Sequence, residues 1–147
     1  MLAAVALLLG SGIVLGDDRV DTGLTVTTVE EYEGALAQLS SDYDAVLVGI
    51  RADWCAYCRT IEDSILPHPD VQALLKEIGL VKIDVSAADR DTADILTQLD
   101  AWGPPTFFIV DTATGLEHQD TRSLGPFPLD DLIARLSRFS SGPASER

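Results

Sequence analysis

The chain opens on an unbroken apolar run and then breaks into short alternating blocks. Met1 to Gly16 carries no charged side chain and is mostly Leu, Ala, Val and Ile. As a helix it would reach roughly 24 Å, short of the ~20 residues a full membrane span needs. Asp17 to Gly23 reads as a polar linker, and Leu24-Thr25-Val26 as a short strand. Thr28 precedes Glu31 by three, the capping-box spacing, and Tyr32, Ala35, Leu36 and Leu39 then repeat at helical period until Ser40-Ser41-Asp42 closes the segment. Ala45 to Ile50 is a continuous apolar run suited to the buried middle of a sheet. A helix through Ile61, Ile65 and Leu66 is stopped by Pro67 and Pro69.

The second half repeats this grammar. Val71, Leu74, Leu75 and Ile78 mark one side of a helix, and Leu80 to Val85 a strand. Asp91 to Leu99 is helical, with Ala93, Leu96 and Leu99 as its expected inner face. After the turn Trp102-Gly103-Pro104-Pro105, Thr106 to Val110 forms a core strand, and a hairpin through Gly115 leads to a strand around Glu117 to Ser123. Leu129, Leu132, Ile133, Leu136 and Phe139 trace an apolar stripe on a last helix. The order βαβαβαββα predicts a three-layer α/β sandwich, a mixed sheet of four to five strands flanked by helices. The domain layout expected is 1–16 apolar segment, 17–23 linker, 24–139 folded domain and 140–147 disordered polar tail.

Composition narrows the class. The 147 residues suffice for one domain, and 23% charged against 46% hydrophobic residues is a globular balance. The formal charge is −14, all of it carried after Gly16. Such a surface repels phosphate backbones, which argues against nucleic acid, and adsorbs poorly to anionic lipid. Membrane attachment would therefore come from Met1–Gly16. Three readings fit that segment: a cleaved signal peptide, with Val14 and Gly16 at tolerated positions but no basic n-region; a short anchor; or the end of a longer membrane domain. Each places the folded part on the far side of the membrane, although the orientation signal from basic residues is missing.

Two cysteines occur, Cys55 and Cys58. A bridge closing so small a loop removes little unfolded-chain entropy, so the pair suits chemistry better than scaffolding. Zinc would need four ligands, and His68 and His118 lie in unrelated segments. At the start of a helix that follows a buried strand, Cys-x-x-Cys is a redox signature. Backbone N–H groups at a helix start favour a thiolate, so Cys55 is the expected nucleophile and Cys58, one turn in, the resolving thiol.

Three segments together carry a resemblance: Ala52-Asp53-Trp54-Cys55-Ala56-Tyr57-Cys58-Arg59, Asp84-Val85-Ser86-Ala87 and Gly103-Pro104-Pro105-Thr106-Phe107-Phe108. From about Tyr43 to Leu136 the chain resembles the C-terminal periplasmic thioredoxin-like domain of the DsbD family. That resemblance implies a protein-disulfide reductase and electron relay, fed by a membrane-embedded dithiol and serving periplasmic thiol proteins. It implies a monomer on the periplasmic face of the inner membrane, or free in the periplasm if the N-terminal segment is cleaved. No cofactor beyond the Cys55–Cys58 disulfide is expected. The alternatives are an oxidase or isomerase of secreted proteins, and a redox-linked assembly module for apocytochrome or metal-chaperone partners. By the same resemblance Pro105 follows a cis bond and faces the cysteines, and Trp54, Tyr57, Pro104 and Thr106 complete the substrate contacts. Relatives carry a buried acid six residues before the first cysteine, where this chain has Gly49. Glu62 matches a second acid of that domain and, four residues after Cys58, is the expected proton acceptor, with Asp53 assisting from the rim.

Overall fold

The computed structural model describes residues 23–141. The apolar segment Met1–Gly16, residues 17–22 of the expected linker and residues 142–147 of the expected tail lie outside the described residues. In chain order the elements are β1 (Leu24–Val26), α1 (Val29–Leu39), β2 (Ala45–Arg51), α2 (Ala56–Thr60), α3 (Pro69–Ile78), β3 (Leu80–Asp84), α4 (Arg90–Gln98), β4 (Thr106–Asp111), β5 (Ser123–Leu124) and α5 (Leu129–Ser137). The strands form one sheet in the order β1-β3-β2-β4-β5. β3 runs parallel to β1 and β2, whereas β4 is antiparallel to both β2 and β5.

The apolar run Ala45–Ile50 takes the centre because its alternating side chains have a layer to enter on each face. Val46, Val48 and Ile50 pack with Tyr32 and Leu36 of α1, Ile95 of α4 and Phe108. Ala45 and Leu47 pack on the other side with Leu75 and Ile78 of α3, Leu132 and Leu136 of α5 and Phe107. This is the expected three-layer α/β sandwich. Local signals begin and end the helices. Thr28 Oγ1 accepts the Glu31 N–H at 3.1 Å while Glu31 Oε2 accepts the Thr28 N–H at 3.3 Å, a complete capping box. Pro69 opens α3, and Gly79 closes it at φ +64°, a conformation open to glycine at little cost.

Three elements depart from the sequence pattern. The helix after Cys55 is α-helical only to Thr60, then widens into a π-helical turn, Ile61–Ile65, marked by Leu66 N–H to Ile61 C=O at 2.9 Å. On α4 the buried face is Thr92 and Ile95 with Leu96 and Leu99 partly covered, and Ala93 is exposed. Asp89 sets that phase by capping the Thr92 N–H at 3.0 Å. The last strand shrinks to Ser123–Leu124, with one bridge between Glu117 and Val110. Between them, the buried Thr121 hydroxyl takes the Ile109 N–H at 3.1 Å, and Asp120 turns at φ +61°, so the backbone ladder cannot run through.

Candidate active site

Cys55 stands at the N-cap of α2, where the buried strand β2 passes through Ala52, Asp53 and Trp54 into a helix. Its sulfur is bonded to Cys58. Cys55 Sγ also accepts the Cys58 N–H at 3.2 Å, a donor that would equally meet a thiolate at that position. The two sulfurs are unequal. Cys58 is 1% exposed and Cys55 7%, so an incoming thiolate meets Cys55 first. Both pack with Ile50, Ala52, Val85 and Phe108 in the apolar core, which limits the water around the exchanging sulfurs.

The turn before β4 lies at the same end of the sheet, because Thr106 pairs directly with Ile50 of β2. The Pro104–Pro105 bond is cis. Pro105 is buried with its carbonyl accepting from Gly125 N–H at 2.9 Å, and Pro104 is half-buried and has no N–H to give. Thr106, expected among the substrate contacts, is buried, and its hydroxyl braces the turn by donating to Gly103 C=O at 2.6 Å. Trp54 and Tyr57 are 62% and 60% exposed, large apolar surfaces flanking Cys55. Trp102, read from sequence only as part of a turn, stands 94% exposed above the Gly103–Pro105 segment.

The acidic residues are organised by a cation that sequence reasoning did not single out. Arg51, the last residue of β2, donates Nε to Glu62 Oε1 at 2.6 Å and Nη2 to Glu62 Oε2 at 3.3 Å. Its Nη1 reaches Asp53 Oδ1 at 2.8 Å and Asp84 Oδ2 at 2.9 Å. The bond to Glu62, opposed by partial burial and helped by Asp53 and Asp84, holds the guanidinium above its ordinary range. Burial would raise Asp84, but hydrogen bonds from Ser86 and the Arg51 charge outweigh it and hold the carboxyl below the usual range. A charged residue closing an otherwise apolar strand was the available signal; its partners, distant in sequence, were not. Gly49 faces Phe107 across the β2–β4 register, and that ring packs edge-on against Phe127 with centroids 5.2 Å apart.

The histidines serve the scaffold. His68 Nδ1 accepts the Asp70 N–H at the start of α3, and the His118 ring packs on Phe139. Among the described residues no group of His, Cys, Asp and Glu is placed to hold a metal ion. What the site offers is a buried disulfide whose Cys55 end is the less covered, a helix-start donor, and an aromatic rim: the equipment of thiol–disulfide exchange.

A parallel-antiparallel sheet of this order, with Cys-x-x-Cys at a helix start and a cis-proline turn at the same sheet end, defines the thioredoxin-like class. A family model described as thioredoxin-like matches residues 27–112, and the chain belongs to that family. Among curated proteins it is similar to thiol:disulfide interchange protein DsbD 1 of Pseudomonas aeruginosa, 31% identical over 116 residues, covering 79% of this chain and 20% of that protein. DsbD of Escherichia coli K12 is 30% identical over 111 residues, covering 76% and 19%. The chain thus spans about a fifth of the length of the curated relatives it matches. The C-terminal domain of Neisseria meningitidis DsbD in the reduced form shares the fold at TM-score 0.67 and 22% identity, covering 80% of this chain and 100% of that one. A thioredoxin mutant from Halobacterium salinarum superposes at TM-score 0.60 and 23% identity, covering 84% and 95%.

Proposed function

We propose that this chain is a reductase and electron relay, taking reducing equivalents from a membrane-embedded dithiol and passing them to periplasmic protein disulfides. A donor thiolate attacks Cys55 Sγ, and Cys58 leaves as a thiolate. The donor's second thiolate then attacks the mixed disulfide, so two electrons arrive and Cys55 is released. In the forward half, the Cys55 thiolate attacks a partner disulfide, and Cys58 attacks Cys55 Sγ to free the partner as a dithiol. Cys58 must give up its proton first; Glu62 is the carboxylate we assign to that role, with Arg51 as its standing counter-ion. Trp54, Tyr57 and Trp102 form the apolar contact rim, and Pro104 and Pro105 form its wall.

The observation that carries this reading is the likeness to DsbD across the folded part, joined to the helix-start placement of Cys55. We place the domain at the periplasmic face of the inner membrane if Met1–Gly16 is retained, and in the periplasm if that segment is cleaved. No helix among the described residues is long and apolar enough to cross a membrane. The deciding experiment is the equilibrium potential of the full chain against glutathione: a value well below about −200 mV fits a reductant, and one near −120 mV reverses the direction. Trapping partners with Cys58→Ser in cells tests the alternative of a redox-linked assembly module, which would yield one dominant covalent partner or none.

A further inference from the structure

Arg51 does more than neutralise acids, because two of its partners, Asp53 and Asp84, tie it to the segment that leads into Cys55. The three carboxylates come from different places: Asp53 from the loop before Cys55, Glu62 from the π-helical turn after Cys58, and Asp84 from the end of β3. Asp84 then passes the connection on. Its Oδ1 accepts the Ser86 N–H at 2.8 Å, the Ser86 hydroxyl accepts the Asp53 N–H at 2.8 Å, and the Ser86 carbonyl accepts the Trp54 indole N–H at 3.3 Å. The circuit Arg51–Asp84–Ser86–Asp53–Arg51 closes around residues 52–54, the segment that delivers Cys55.

The environment gives these bonds weight. The side chains of Arg51, Glu62 and Asp84 are 14%, 23% and 25% exposed, and Arg51 meets Glu62 with two nitrogens. Charge-assisted, forked and partly buried bonds hold geometry far better than exposed pairs do. Charge points the same way. Asp63, Lys82 and Thr25 line the same cleft as Arg51, Glu62 and Asp84, so two cations stand there with three carboxylates, and Asp53 reaches Arg51 from outside it. Removing the guanidinium would leave acids on both chain sides of the cysteine pair, and nearby negative charge opposes a thiolate.

We propose that Arg51 is a positioning residue for exchange: it orients the Asp53-Trp54 approach to Cys55 and offsets the carboxylates that would otherwise disfavour its thiolate. The proposal rests on exchange at Cys55–Cys58 and not on the direction of electron flow.

The test is the pH profile of iodoacetamide alkylation of Cys55, read by mass spectrometry on the full chain in a Cys58→Ser background. Arg51→Gln should raise the midpoint by roughly half a pH unit or more, about threefold less thiolate at neutral pH. Arg51→Lys should recover most of that shift. A folded Arg51→Gln protein with the parental midpoint overturns the charge role, as does an Arg51→Lys midpoint no nearer the parent than Arg51→Gln. Ser86→Ala, made with both cysteines present, keeps every charge and opens the circuit. It should slow reduction of insulin disulfides at least threefold with no change in circular dichroism, and a parental rate overturns the orienting role. Should Arg51→Gln fail to fold, Arg51→Lys, which keeps the charge but not the forked bond to Glu62, should slow insulin reduction at least threefold at a near-parental midpoint, and a parental insulin rate overturns the proposal. The alkylation midpoint reads the thiol alone, so it stands whichever potential is measured.

Discussion

The ring of Phe107 fills the space that a side chain at position 49 would need. A Cβ built on Gly49 would stand 2.5 Å from Phe107 Cε1 and 2.8 Å from Cζ, closer than packed carbons tolerate. The acid expected six residues before Cys55 is therefore replaced by an aromatic wall, itself held by Phe127. Gly49→Asp should destabilise the fold by about 3 kcal/mol or more, since overpacking and burial of a carboxylate act together. Chemical denaturation measures this. Phe107→Ala, costly alone, should couple favourably with Gly49→Asp, and a strictly additive double mutant would contradict the geometry.

Asp84 makes acid stability depend on the Arg51 circuit. Its folded pKa lies below the unfolded value of about 3.9, so its contribution is complete above that pH and is lost as pH falls through the folded value. Asp84→Asn should cost about 1–2 kcal/mol at pH 7, the loss of charge-assisted bonds from Arg51 and Ser86. The difference between variant and parent should narrow steadily below pH 4. Urea midpoints at pH 7, 4 and 3 decide it, and a gap that stays constant would sink the assignment.

Tyr32 sets the opposite, alkaline limit. Burial, with Glu117 nearby, pushes its hydroxyl up to about 12 from 10. A raised folded pKa means the neutral phenol is preferred in the fold, so this contribution is intact below pH 10 and is lost as pH rises toward 12. Among the described residues no protein atom hydrogen-bonds the buried Tyr32 hydroxyl. Tyr32→Phe should thus leave stability unchanged or raise it by up to about 1 kcal/mol at pH 7 and flatten the decline above pH 10. Equal alkaline slopes for parent and variant would exclude Tyr32 as the group responsible.

What the sequence disclosed was whatever depends on near neighbours. The apolar run through Ala45–Ile50, the Thr28–Glu31 capping box and the helix-start position of Cys55 are local patterns, and each appears where its spacing put it. The Arg51 circuit joins residues up to 33 positions apart, so only the β2–β3 pairing brings them together. Gly49 was visible as an absence of acid, but Phe107 as its occupant needed the β2–β4 register. The shortened β5 turns on one hydroxyl, that of Thr121, which no alternation of apolar and polar residues could reveal.

The cysteines should separate cleanly by role. Cys55→Ser removes the helix-start thiol, the less covered of the two, and should lower exchange by at least ~10³-fold, because Cys58 is buried deeper. Cys58→Ser keeps the attack and removes the release, so the mixed disulfide should persist on non-reducing gels. Comparable adduct yields from the two variants would contradict the assignment of Cys55 as nucleophile.

Recognition should be separable from chemistry at the aromatic rim. Trp102 is almost fully exposed beside the cis-proline turn and shares its surroundings with Leu124, whereas the sulfurs lie in the core. A large apolar side chain so placed gains little from folding and much from being covered by a partner. Trp102→Ala should leave the melting temperature within about 2 °C of the parent. Its reaction with a small disulfide such as oxidised glutathione should also be unchanged. Reduction of a protein disulfide should slow through KM, by roughly fivefold or more, with kcat little altered. Trp54→Ala should behave differently, because its indole also ties Ser86 to the Cys55 loop: both kcat and KM should move. Identical kinetic signatures for the two tryptophans would mean that exposure alone, and not the Ser86 connection, sets their contributions.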